Sequence, residues 1–271
     1  MRKPALWRCE TCGRAFANRN QSHACGRHDL EHHFAGKSPE IRALYDRAAR
    51  VITSLGKVKV LPEKTRIAFQ VRMSFAQLTP RQRWIDGHVV LARRLEHPRF
   101  RQVQTFSPRN HLHTFRLESP SDVDEDFAGW MREAHAVGEQ RHLAKNAAPS
   151  SREKRLTFDA VRRFGLSLPD VEEGTAYGTP ALKLGGKLLA CMAINKSAEP
   201  DSLVVRVDFD QRAELIAAEP EIYYVTDHYV DYSSVLVRLT RIRRDALEDL
   251  LQSSRRFVRQ LAGPRPRRRS R

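Results

Sequence analysis

Residues Ala181-Leu-Lys-Leu-Gly-Gly-Lys-Leu-Leu-Ala-Cys-Met-Ala-Ile194 decide the architecture of the C-terminal half. Two strand-like runs, Ala181–Leu184 and Lys187–Ile194, flank Gly185-Gly186. A Gly-Gly pair between such runs is a hairpin signal, because both turn positions need positive φ. Outward from the hairpin, Ser202–Asp208 reads as a further strand, and Asp208 or Asp210 caps a helix reaching Ala218. Tyr223–His228 and Ser234–Ile242 read as two more strands. Asp245 then caps a long helix, with Glu248 completing a capping box, and Gly263-Pro264 ends it. Upstream, a helix over 157–167 stops before Leu168-Pro169, and Gly174, Gly178 and Pro180 are assigned to a turn. Cys191, inside an apolar run, reads as a buried small hydrophobe.

Lys145-Asn-Ala-Ala-Pro-Ser-Ser151 is polar and carries no period, so it reads as a linker. Before it, residues 38–55 predict a helix. Ser38 stands at its cap, Pro39 at its first position, and Ile41, Leu44, Tyr45, Ala48, Val51 and Ile52 recur at helical spacing. Short strands follow at Val58–Leu61, Arg66–Val71, Trp84–Ala92, Val103–Phe106 and His111–Leu117. A helix over 122–142 closes the unit, its acidic Asp122, Asp124, Glu125 and Asp126 suiting the positive end of the helix dipole. The expected organisation is a head over 1–36, a domain over 37–144, a linker over 145–152, a second domain over 153–262 and a basic, unstructured tail over 263–271. The fold class is α+β: two small α/β domains with antiparallel sheets, the first headed by a zinc knuckle.

Residues 1–36 are too poor in aliphatic side chains to build a core alone. They hold Cys9-Glu-Thr-Cys12-Gly13 and, ten residues on, His23-Ala-Cys25. Two thiolates at Cys-x-x-Cys spacing can grip one tetrahedral ion, and Cys9, Cys12, His23 and Cys25 complete a closed set of four ligands. Zinc suits thiolate and imidazole donors, and a closed set makes it structural. His28 is an alternative fourth ligand, with His32 and His33 as spares. A redox dithiol uses the same Cys-x-x-Cys spacing.

The chain has 271 residues and a formal net charge of +16, of which 38 basic residues are Arg. Residues 1–100 carry 20 basic and 8 acidic side chains, whereas residues 151–250 carry 14 and 17. The last 21 residues carry 8 basic and no acidic side chains. An electrostatic footprint for nucleic acid therefore belongs to the two ends. Arg8, Arg14, Arg19 and Arg27 surround the proposed metal, Lys183 and Lys187 lie on the hairpin, and Arg265, Arg267, Arg268 and Arg269 lie in the tail. No apolar run approaches the length of a membrane helix; the longest is Leu188–Ile194. The N-terminus reaches charges and Cys9 before any apolar stretch, so no secretory signal is expected and the chain reads as cytoplasmic.

Two resemblances add to this reading. Trp7-Arg-Cys-x-x-Cys-Gly-Arg-x-Phe16, Asn20–Gly26, His33–Lys37 and Val137–Leu143 resemble an uncharacterised bacterial domain with a small α/β body. That resemblance implies an architecture and a metal but no activity. Pro169–Lys183, Gly186–Ala190, Leu203–Asp210, Tyr223–Tyr229, Ser234–Leu239 and the final helix resemble the MmcQ/YjbR family over residues 156–262. This implies a compact unit with an antiparallel sheet, likened to a double-wing DNA-binding arrangement. The DNA-binding label is a fold-level analogy. Val230 and Asp231 stand where members often place a basic residue, and Ser234-Val235 where an aromatic is common. Tyr177, Thr179, Asp227, His228 and Tyr229 are candidates to line a small pocket.

No P-loop, G-x-S-x-G elbow, H-E-x-x-H or dinucleotide fingerprint occurs. The reading is a non-enzymatic nucleic-acid-binding protein, for DNA with little sequence preference, carrying structural zinc. The alternatives are a protein-interaction or small-ligand module whose charge is compositional, and a metal-dependent nuclease.

Overall fold

The computed structural model describes residues 6–16, 25–26, 28–141 and 156–262. The chain is α+β and divides into two compact units, Met1–Pro149 and Ser150–Arg271.

The first unit opens on a two-stranded hairpin, β1 (Trp7–Arg8) and β2 (Ala15–Phe16). A 3-10 turn at Glu31–Phe34 leads into α1 (Pro39–Thr53). Six strands follow: β3 (Lys59–Pro62), β4 (Ile67–Gln70), β5 (Ser74–Pro80), β6 (Ile85–Leu91), β7 (Gln102–Ser107) and β8 (Asn110–Leu117). They form one antiparallel sheet in the order β3-β4-β5-β6-β8-β7. Helix α2 (Glu125–Gly138) closes the unit. Ile41, Leu44, Ala48 and Ile52 of α1 and Phe127, Trp130, Met131 and Ala134 of α2 bury one stripe each against Phe69, Leu78, Val89 and Phe115 of the sheet. A Cβ on Gly87 would stand 2.5 Å from the Phe115 ring, so glycine is what lets that ring lie flat on β6.

The second unit starts with α3 (Phe158–Ser167). Strands β9 (Val171–Ala176), β10 (Thr179–Leu184), β11 (Lys187–Met192) and β12 (Ser202–Arg206) follow, then α4 (Phe209–Ala218). The two-residue β13 (Tyr223–Tyr224), β14 (Ser234–Arg238) and α5 (Arg244–Ala262) complete it. The sheet order is β13-β14-β12-β11-β10-β9, antiparallel throughout. Gly185 (φ +55°) and Gly186 (φ +74°) turn the central hairpin, with Leu184 opposite Lys187. Helices α3 and α5 cover one face of this sheet. On the other, Ala181, Cys191, Val204 and Leu236 form a smaller apolar cluster under Tyr229.

Several local expectations need correction. Strand β5 has no counterpart among the expected strands: its outward-facing Gln77 and Thr79 give it a loop-like composition, although Ala76 and Leu78 face the core. Strand β9 occupies residues assigned to a turn. Gly174 pairs with Ala181 inside that strand, and its bare backbone makes room for the Lys183 side chain, 3.2 Å from where a Cβ would stand. Pro180 likewise lies in β10, and only Gly178 (φ +76°) keeps the turn role. The strand expected over Tyr223–His228 stops at Tyr224, where Thr226 and Asp227 turn the chain into a 3-10 segment. The expected Ser234–Ile242 strand ends at Arg238. Helix α5 begins at Arg244, so Asp245 lies in its first turn and accepts from the Ala246 N–H. Glu248 pairs with Arg244 instead of forming a capping box. Ser38 makes no side-chain cap bond; its hydroxyl serves the Glu40 carboxylate.

Candidate metal centre and basic edge

The β1–β2 hairpin is a thiol knuckle. The Cys9 N–H donates to the Arg14 carbonyl at 2.9 Å, and the Gly13 N–H donates to the Cys9 carbonyl at 2.8 Å. Gly13 sits at φ +70° with nothing within 4 Å of an added Cβ, so its role is backbone freedom and not space. The tight turn brings the backbone N–H groups of Cys12 and Thr11 onto the Cys9 sulfur. The Cys12 amide contributes most, and together with the neighbouring thiols these donors lower the Cys9 thiol to about 6. Burial and the surrounding sulfurs push Cys25 up to about 11.

The sulfurs of Cys9, Cys12 and Cys25 all lie within 4.8 Å of one another, and Cys9 and Cys25 are 3.7 Å apart. A tetrahedral zinc site with sulfur bonds of about 2.3 Å has edges of about 3.8 Å, so this spacing fits such an ion. His23 and the Arg19 and Arg27 positions lie outside the described residues. His28 lines a cavity of about 390 Å³ together with Cys12, Cys25 and Arg14. His33 is buried in the turn before α1, where its ring bonds the Glu63 backbone and burial lowers its pKa, and it is not part of the sulfur cluster.

The knuckle is anchored to one edge of the first sheet. Gln70 of β4 donates its Nε2 to the Ala15 carbonyl at 2.8 Å. Leu61 and Pro62 of β3 line the same cavity as Cys12. Arg14 pairs with Glu63 at 3.4 Å, and Glu63 also holds Arg66 at 2.8 Å, so the Arg14 charge is compensated. Arg8 is exposed. Strand β3 is an edge strand, and Lys57, Lys59 and Lys64 on and beside it are exposed and make no ion pair among the described residues. The sequence reading passed over these three lysines. Their signal is the local density of lysine, with Lys57, Lys59 and Lys64 falling within eight residues.

Of the other predicted phosphate contacts in the described residues, Lys187 is engaged elsewhere. Lys187 donates its Nζ to the Leu261 carbonyl at 2.6 Å, satisfying the negative end of α5. Lys183 lies across Gly174. In the same unit Arg238 grips Glu199, Arg241 pairs with Glu221, and Arg255 donates to the Pro169 carbonyl. Arg265, Arg267, Arg268 and Arg269 lie outside the described residues. The acidic run before α2 is occupied as well. Asp122 caps its own turn, and Asp124 caps α2 through the Phe127 N–H and holds Arg99 at 2.8 Å. Among the described residues the cysteine group is the one cluster of metal-ligating side chains.

Of the predicted pocket residues, Tyr177, His228 and Tyr229 line one cavity of about 450 Å³ that also takes in Cys191 and Val204 of the second sheet. Thr179 does not line it; its hydroxyl bonds the Ala176 carbonyl across the turn. Asp227 does not line it either and starts the 3-10 segment. Arg206, Lys196 and Tyr232 line it and were not singled out in the sequence.

Together the two sheets and the thiol knuckle define a two-unit α+β protein with a cysteine-rich head. No helix among the described residues is long and apolar enough to cross a membrane. Residues 166–257 match the YjbR family, and residues 30–138 match a domain of unknown function, DUF5655. The second match begins after the knuckle. No curated protein matches the chain. A crystal structure of Deinococcus radiodurans protein DR2400, with family-model domain DUF419, is similar at 24% identity, covering 41% of this chain and 84% of that one, with a TM-score of 0.35.

Proposed function

We propose that the protein binds nucleic acid, DNA with little sequence preference, and that a structural zinc ion holds the knuckle that helps present the binding surface. The observation that carries this reading is the basic edge: Lys57, Lys59 and Lys64 stand exposed and without ion pairs among the described residues, beside a knuckle bearing exposed Arg8. Cations left uncompensated along one edge can replace condensed counterions on a phosphate backbone. The YjbR match adds a fold-level link to nucleic acid. The zinc would be held by Cys9, Cys12 and Cys25 with His23 or His28 as fourth ligand, and would fold a segment too poor in apolar residues to fold alone. Three reduced thiols fit a reducing compartment, which the cytoplasm supplies. The Arg tail adds sequence-independent attraction.

The test replaces Lys57, Lys59 and Lys64 together with alanine and measures duplex DNA affinity against salt. Each lost phosphate contact lowers the slope of log affinity on log salt by about 0.9, so the triple variant should lose between two and three units of slope. Affinity should fall to a similar degree for unrelated sequences. An unchanged slope would show that this edge does not meet phosphate.

A further inference from the structure

The turn between β9 and β10 is built against backbone preference. Tyr177 (φ +52°) and Gly178 (φ +76°) are its two central residues, between the paired Ala176 and Thr179. Two positive φ values favour Asn-Gly, and a bulky side chain at the first position is disfavoured. Tyr177 gains no core packing in return, since it is 76% exposed. It borders a cavity instead.

The cavity it borders has an apolar floor made by Leu188, Cys191 and Val204. Cys191 of β11 and Val204 of β12 are direct cross-strand neighbours, and Arg206 at the end of β12 sits opposite Ser234 of β14. The rim is aromatic. His228 lies 4.8 Å from the Tyr229 ring and 6.0 Å from the Tyr232 ring, and Tyr232 is 53% exposed. No carboxylate lines the cavity, whereas Arg206 and Lys196 do. Arg206 donates to the Ser233 hydroxyl at 2.8 Å, and neither cation has a carboxylate partner among the described residues. An apolar floor, exposed π-faces and uncompensated cations select a ligand that is planar, aromatic and anionic. A cavity of about 450 Å³ is of small-ligand size.

We propose that this cavity binds a nucleotide, with the base against Tyr177 and the His228–Tyr232 rim and the phosphate on Arg206 and Lys196. The site lies in the other unit from the lysine edge and requires a base, so it goes beyond the phosphate-contact reading and does not depend on it. The same chemistry is offered by a free mononucleotide and by an unpaired nucleotide of a single strand.

Calorimetric titration of the full chain with adenosine monophosphate, adenosine, ribose 5-phosphate and single-stranded oligodeoxythymidine tests this. Adenosine monophosphate should bind at least tenfold more tightly than ribose 5-phosphate. Tyr177→Asn, which suits the turn and keeps the fold, should weaken binding about tenfold, the scale of one lost base–aromatic stack. Arg206→Gln should reduce the preference for nucleotide over nucleoside. Binding of the oligonucleotide alone supports the site and assigns it to single strands; binding of the mononucleotide assigns it to free nucleotide. Equal binding of ribose 5-phosphate, no effect of Tyr177→Asn, or no binding of any base-bearing ligand overturns the proposal. Duplex binding through the lysine edge should be unchanged in Tyr177→Asn, which separates this result from the fate of the proposed function.

Discussion

His113 shows how one side chain can set the acid limit of a unit. It is fully buried beside Phe100, with Nε2 accepting from the Leu95 N–H at 2.9 Å and Nδ1 3.0 Å from the His111 carbonyl. That pairing requires the neutral ring with its proton on Nδ1, and burial is the main cause that lowers its pKa to about 4. A folded-state pKa below the unfolded value means the unfolded chain binds more protons in between. Stability from this group is therefore complete above about pH 6.5 and is lost as pH falls toward 4. The full loss is on the order of 3 kcal/mol. Denaturant melts of wild type and His113→Gln between pH 7 and pH 4 check this: the wild type should lose stability more steeply, and parallel curves would contradict the assignment. The sequence alone did not mark His113, since burial of a histidine depends on the fold and not on its neighbours in the chain.

At the scale of elements, what was legible in the sequence were segments whose partner is local. Helix α1 reads from Ile41, Leu44, Ala48 and Ile52, and the central hairpin reads from Gly185-Gly186, because a helical stripe and a glycine pair encode their own geometry. Strand β9 was not legible, since Val171-Glu-Glu-Gly-Thr-Ala176 has an exposed, acidic composition and is held as an edge by its pairing with β10. The knuckle was legible in its cysteines, because Cys9 and Cys12 are placed by one turn. What a motif reading could not show was that Arg14 would be compensated by Glu63, forty-nine residues away. The knuckle makes its own prediction. Purified protein should carry about one zinc ion per chain, and Cys12→Ser should lose both the metal and protection of residues 6–16 from proteolysis. Metal content unaffected by Cys12→Ser would remove these sulfurs as the ligand set.

For the whole molecule, the net charge of +16 is distributed in a way that the fold makes specific. In the second unit several arginines are paired with carboxylates, as in the Arg238–Glu199 and Arg244–Glu248 pairs, whereas in the first Lys57, Lys59 and Lys64 stay open along an edge. Under the proposed function the folded chain, and not only its basic tail, carries the nucleic-acid surface. The most direct measurement is fluorescence anisotropy of a labelled DNA duplex titrated with the full chain and with a 1–262 truncation across a salt series. Both proteins should bind at moderate salt, affinity should fall steeply with salt in each, and the truncation should lose part of the slope while keeping the interaction. Binding that disappears with the tail, or no binding by either protein at moderate salt, would contradict the proposed function.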